Sequence, residues 1–268
     1  MPVEINPIFI FGGEKVLLYG KKCNQKIILI YIKIIYIYIK IIFIYIIMYL
    51  GQSEQDKFVL NVLKDKKNGY FLEIGSNHPI TYNNSYLLET KYDWKGIMVE
   101  YSSQFLPLYK EHRHNSIHII NDATCVDYKN VFEKNNMPLS FDYLQIDLEV
   151  NNGSTIKTLQ KLDTEIFDTY KFATVTFEHD IYHTNFANTR SESRKIFKKR
   201  GYICVFEDVN DQSERGIFPY EDWYVHPDLV DMNYVNNLIE HNKTYYVNHS
   251  ISGKTIHWRD IQYGSGGI

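Results

Sequence analysis

The chain has 268 residues, 44% apolar and 23% charged, a balance that rules out a globally disordered polypeptide. Its 29 Lys and Arg against 32 Asp and Glu leave a net charge of −3, and without a basic excess to neutralise phosphates the sequence argues against a nucleic-acid binder. Cys23, Cys125 and Cys204 are isolated and odd in number, which excludes a disulfide framework or a paired-cysteine zinc site and fits a reducing, cytoplasmic compartment.

Composition changes near residue 50. Residues 1–50 hold six lysines against Glu4 and Glu14, whereas residues 51–268 are net acidic. Within the first part, residues 27–50 contain 13 Ile and five Tyr, with Lys33 and Lys40 as their charges. As a helix this run is about 36 Å long, enough to cross a bilayer. Each internal lysine opposes insertion by about 2.5–3.5 kcal/mol. The other reading is an AT-rich leader translated from an early start, with Met48 as the alternative start. Membrane association is therefore expected only through residues 27–50, and the domain itself over 51–268.

From there the pattern alternates. Gln52–Asp65 has helical spacing at Phe58, Val59, Val62 and Leu63, and Tyr70–Ile74 is a short apolar strand running into Gly75. A helix is expected over Ser85–Tyr92, a strand over Gly96–Glu100, a helix over Phe105–His112 and a strand over Ile117–Asn121. Tyr128–Lys134 reads as a helix, Phe141–Asp147 as the fourth strand, Ser154–Leu162 as a helix and Phe172–Glu178 as the fifth strand. A basic helix over Glu192–Arg200, read as a solvated face, precedes a strand over Tyr202–Val209, and Trp223–Val225 lies in a seventh. Strands alternating with helices predict an α/β fold with a mainly parallel sheet flanked by helices.

Acids recur at the strand ends. Glu73 lies in the first strand, Glu100, Asp147 and Glu178 close the second, fourth and fifth, and Asp122 follows the third, at intervals of 27, 22, 25 and 31 residues. In a parallel sheet those ends share one edge, where ligands bind, so the carboxylates are expected to converge. Glu73-Ile74-Gly75-Ser76-Asn77 is a strand entering a glycine turn, and Glu100 is placed like the acid that binds ribose hydroxyls in dinucleotide folds. The turn has no G-x-G-x-x-G run, which argues against pyrophosphate. A nucleoside without pyrophosphate is favoured, and S-adenosylmethionine is the common one.

These segments resemble the FkbM-type family of S-adenosylmethionine-dependent methyltransferases. The resemblance spans about Gln52 to Asp231 and is carried by residues 69–90, YDWKGIMVE (92–100), NDA (121–123), FDYLQIDLE (141–149), FEHDIY (177–182), GYICVFEDV (201–209) and EDWYVHP (221–227). It implies a Rossmann-like class I methyltransferase sheet of seven strands, the last antiparallel, and O-methylation of sugar or natural-product hydroxyls. It further implies that Glu73, Gly75, Ser76 and Asn77 line the methionine and ribose side, Glu100 holds the ribose, Asp122 and Ala123 flank the adenine, and Asp147 sits beside the reactive methyl. Two departures stand out: Pro79 replaces a second glycine, and Asp147-Leu148-Glu149 is followed by Val150 where the family commonly has Gly.

Methyl transfer to a hydroxyl needs positioning and a proton acceptor. Glu149, Glu178, His179, Asp180 and His183 are the base candidates; His179 comes first because imidazole accepts a proton at neutral pH, with Glu178 or Asp180 orienting it. A divalent ion among Glu178, His179, Asp180 and His183 is the lesser alternative, and no metal is assigned. Trp223 is a candidate for stacking on a sugar. The expected activity is thus a methyltransferase acting on a saccharide or other small-molecule acceptor, not on nucleic acid. Its rivals are a non-catalytic interaction module of the same fold and a nucleotide-sugar or nicotinamide enzyme.

Overall fold

A computed structural model describes residues 10–11, 14–15, 33–36, 49–182, 186–213 and 216–240. The chain forms two compact units, Met1–Met48 and Tyr49–Ile268. In the first, Ile10–Phe11 pairs antiparallel with Glu14–Lys15, and residues 33–36 are helical. Most of the apolar run 27–50, with Met48, lies outside the described residues, as does His183. No helix among the described residues is long and apolar enough to cross a membrane.

The second unit runs α1 (Gln55–Val62), β1 (Tyr70–Ile74), α2 (Tyr86–Tyr92), β2 (Lys95–Glu100), α3 (Leu106–His112), β3 (Ser116–Ile120), α4 (Tyr128–Lys134), β4 (Ser140–Ile146), α5 (Ser154–Glu165), β5 (Lys171–Glu178), α6 (Ala187–Lys199), β6 (Ile203–Ser213) and β7 (Gly216–Val225). The sheet order is β3-β2-β1-β4-β5-β7-β6. β1 to β5 are parallel, while β7 runs antiparallel between β5 and β6. This is a Rossmann-like sheet of seven strands flanked by helices. The order reverses between β1 and β4, and at such a switch point the loops leaving the two strands part and open a crevice.

The central strands are buried on both faces, which is why they read as continuous apolar runs. Leu72 and Ile74 of β1 join one core with Phe132 of α4, Leu159 and Leu162 of α5 and Phe197 of α6. Phe71, one residue over on the pleat, joins the other core with Phe58 of α1, Leu88 of α2 and Tyr109 of α3. Trp223 belongs to this second core: it is fully buried beside Phe58 and Phe206, so the expectation that it stacks on a sugar is corrected.

Two elements differ from expectation. Helix α6 starts at Ala187 rather than Glu192, because its buried stripe is Thr189, Ser193 and Phe197, two of them polar and silent to a hydrophobic period. Its basic residues are only partly a solvated face. Arg194 donates to Asp222 from Nε at 2.7 Å and from Nη2 at 2.8 Å, Arg190 pairs with Asp208, and Arg200 pairs with Asp163. The β6–β7 hairpin extends to Ser213 and Gly216, well beyond Val209, through a polar stretch with no alternation to mark it.

Candidate active site

The strand ends of β1, β2, β4 and β5 surround a cavity of about 840 Å³ lined by Glu73, Gly75, Ser76, Asn77, Glu100, Asp147, Glu149, Glu178 and Asp180, among others. Four of the five strand-end acids therefore meet. Asp122 does not line the cavity. Its carboxylate caps its own turn, accepting from Thr124 N at 2.8 Å and Thr124 Oγ1 at 2.7 Å, and those bonds lower its pKa. Ala123 is buried in the core of the α4–α5 face. Neither of the expected adenine-flanking residues reaches the lining.

Gly75 continues the β1 ladder, its N–H donating to Val99 O at 2.9 Å, and then turns with φ +84°. A Cβ here would lie 1.7 Å from the Asp147 carbonyl oxygen. The glycine is thus required by the close approach of the β4 end as well as by its left-handed backbone. Asn77, also left-handed at φ 48°, is held from both sides: its N–H donates to Glu100 Oε2 at 2.8 Å, and its carbonyl accepts from the buried Tyr109 hydroxyl. Glu100 accepts a second backbone N–H, from Ser102, at 2.8 Å. It therefore ties the loop after β1 to the loop after β2.

Glu73 is buried, and desolvation raises its pKa against the opposing pull of Arg113 and Asn83. Asn83 Nδ2 donates to Glu73 Oε2 at 3.1 Å, and Arg113 Nη1 stands 3.9 Å from the same oxygen. Arg113, fully buried just after α3, donates to Glu89 at 2.7 Å, Asn83 Oδ1 at 2.8 Å, Ser85 Oγ at 2.6 Å and Pro79 O at 3.2 Å. One guanidinium therefore fixes the whole loop from Ser76 to Ser85. Sequence reasoning missed it: between His112 and His114 an arginine reads as solvated, and only the acid Glu89 beside Leu87 and Leu88 hints at a buried cation.

On the other side, Asp147 and Glu178 line the cavity together at the ends of β4 and β5. Burial raises both pKa values. Glu178 is pushed far up, because the charges of Asp147, Asp180 and Glu221 add to its desolvation. Nearby Glu221 is buried and pushed up in the same way, with Gln55 Nε2 donating to it at 2.9 Å.

His179 is fully buried and does not line the cavity, which corrects the expectation that it faces the acceptor. Its Nδ1 accepts the Ile181 N–H at 3.2 Å, and its Nε2 lies 3.3 Å from Asp222 and 3.6 Å from Asp208. Both ring nitrogens thus face the protein interior rather than the cavity. His179, Asp208 and Asp222 are spaced to hold a cation, but Arg190 and Arg194 already bind both carboxylates. The group is an ion-pair network joining α6 to β6 and β7.

No family model and no curated protein matches the chain. Solved structures similar to it include precorrin-6y C5,15-methyltransferase of Geobacter metallireducens GS-15, at 13% identity over 66% of this chain and 90% of that one, with a TM-score of 0.41. A TehB-like SAM-dependent methyltransferase of Corynebacterium glutamicum is 8% identical over 64% of this chain and 87% of that one, with a TM-score of 0.41. A methyltransferase of Pyrococcus furiosus is 14% identical over 65% of this chain and 83% of that one, with a TM-score of 0.40. These are likenesses of backbone arrangement.

Proposed function

We propose that the second unit is an S-adenosylmethionine-dependent methyltransferase that methylates a hydroxyl group of a saccharide or other small polyhydroxylated acceptor. The observation that carries this reading is the meeting of Glu73, Gly75 and Glu100 from adjacent strands at the switch point of this sheet, in a turn without the glycine run a pyrophosphate needs.

The residues present fit the cofactor. Glu73, Asn77 and Glu100 line the cavity with acceptors, and the left-handed Gly75 turn leaves the space beside them open where a side chain would fill it. Glu100 would hold the ribose hydroxyls on lone pairs that its two backbone N–H partners leave over, and Glu73 with Asn77 would hold the methionine end. When bound, the cofactor supplies an electrophilic methyl group on a sulfonium. Asp147 takes the acceptor proton. Burial raises its pKa above that of a solvated aspartate and so makes it the stronger base. Asp180 and Glu149 line the cavity beside the pair and orient the acceptor hydroxyls.

The test is transfer of labelled methyl from S-adenosylmethionine to a saccharide panel. Label on a sugar oxygen is expected, with turnover reduced about 10²–10⁴-fold in Asp147→Asn while cofactor affinity is kept. Undiminished turnover in that variant overturns the base assignment, and label on nitrogen or carbon alone overturns the hydroxyl reading.

A further inference from the structure

The cavity lining includes two large rings that neither core uses. Tyr82 is 71% exposed and Tyr101 is 77% exposed. Tyr101 directly follows Glu100, the acid proposed to hold the ribose. Tyr82 belongs to another neighbourhood. Its backbone bridges Gly51, and the segment that follows Gly51 is tied to β7: Ser53 Oγ hydrogen-bonds the Tyr220 hydroxyl, and Gln55 Nε2 donates to Glu221 at 2.9 Å. Gln52 of that segment lines the cavity as well.

The backbone of Tyr82 is strained. Its φ of 54° lies in the left-handed region, where a bulky L-residue crowds its own chain. Among the described residues it is the one aromatic there, and most of the others are Asn or Asp. Its neighbours impose this conformation. The N–H groups of Ile80 and Thr81 donate to His78 Nδ1 at 3.2 and 3.0 Å. On the other side Asn83 is buried, donating to Ser76 O at 3.0 Å while its Oδ1 accepts from Arg113 at 2.8 Å. A glycine or asparagine would suit this turn with less strain, so the turn alone does not account for a tyrosine. Strain of this kind clusters at ligand-binding sites.

The rest of the lining sets the shape of the ligand. Asp147, Glu149, Glu178 and Asp180 offer oxygen acceptors in the same cavity. A planar phenol covers a ring but leaves most of those acceptors without donors, and an acyclic polyol brings donors but no apolar face. A pyranose has both: C–H groups on one face and hydroxyls around its edge. Resting on the methyltransferase reading, we propose that Tyr82 selects the acceptor, its ring stacking on the C–H face of a pyranose whose edge hydroxyls donate to the strand-end carboxyl groups. Tyr82 takes the stacking role that the buried Trp223 cannot.

Saturation-transfer NMR on the full chain tests it, with and without S-adenosylhomocysteine. The probes are methyl β-D-galactopyranoside, whose C3, C4 and C5 hydrogens share one face, and glucitol, an acyclic hexitol. Irradiating the tyrosine ring protons is expected to saturate those three sugar hydrogens first and to leave glucitol unaffected. Tyr82→Asn removes the ring and keeps a residue suited to the left-handed backbone; the transfer is expected to fall about fivefold there and to survive in Tyr82→Phe. An unshifted denaturation midpoint shows that both variants keep the fold. No transfer to the galactoside, equal transfer to glucitol, an unchanged signal in Tyr82→Asn or an equal loss in Tyr82→Phe overturns the proposal. A calorimetric titration with S-adenosylhomocysteine alone reads the cofactor claim. If the wild type fails to bind it, the methyltransferase reading falls, while the sugar series without nucleoside still reads the stacking role. If Tyr82→Asn loses nucleoside affinity and keeps the sugar signal, the ring serves the nucleoside and the proposal falls.

Discussion

On the β1–β2–β3 half of the strand-end edge, carboxylates meet donors: Glu73 faces Asn83 and Arg113, Glu89 is bound by the same guanidinium, and Glu100 takes the N–H groups of Asn77 and Ser102. On the β4–β5–β7 half, Asp147, Glu178 and Glu221 crowd one another, with Gln55 as a neutral donor. Glu73, Glu100, Asp147 and Glu178 are alike in residue type and in their place at strand ends. What differs is the partner, and the partner sets whether a buried acid fixes a loop or holds a proton. The first half is therefore tied together by its donors, while the acids of the second lack a neighbouring cation and have raised pKa values.

The hardest blow to the first half is Arg113→Met, which leaves Glu73 and Glu89 buried beside no cation. A loss of about 3–5 kcal/mol is expected from chemical denaturation. A loss under about 1 kcal/mol would erase the distinction between the halves. Gly75→Ala strikes the seam between them. Its Cβ meets the Asp147 carbonyl at 1.7 Å on a left-handed backbone, so about 2–4 kcal/mol is expected. An unchanged denaturation midpoint would mean that β1 and β4 are not held this closely.

Glu178→Gln sharpens the comparison through pH. The folded state holds this proton above the group's ordinary value of 4.5, so between that value and the raised one the native protein binds more protons than the unfolded chain. Stability from this group is therefore present at low pH and lost as pH rises, by up to about 1.4 kcal/mol per pH unit. Asp56, pushed up to about 7 by burial, adds a slope of the same sign, so the wild-type and variant curves must be subtracted. The difference is expected to fall with rising pH; a flat difference would show that the pair holds no extra proton. The smallest effect on stability is that of Glu100→Ala, about 0.5–1 kcal/mol, because the two N–H groups it frees lie near solvent.

The sheet was legible because Tyr70–Ile74, Gly96–Glu100, Phe141–Asp147 and Phe172–Glu178 are apolar runs ended by acids or glycine, which is what parallel strands buried on both faces require. The convergence of Glu73, Glu100, Asp147 and Glu178 followed from strand parity alone. Arg113 and the Arg194–Asp222 pair were not legible, since nothing local distinguishes a buried charge from a solvated one. His179 misled because its imidazole suits base catalysis; its inward turn toward Asp222 depends on β7 running antiparallel beside β5, a contact 43 positions away in the chain. Asp122 caps its own turn, a local role that its place before Ala123 and Thr124 did not distinguish from a ligand contact.

The central claim is that the β1 and β2 ends together hold a nucleoside. Calorimetric titration of the full chain with S-adenosylhomocysteine tests it most directly, comparing wild type with Glu100→Ala. The account predicts saturable one-to-one binding that weakens about 10–100-fold in the variant, as loss of a charged hydrogen-bond acceptor does. No binding by the wild type, or equal binding by both proteins, would contradict it.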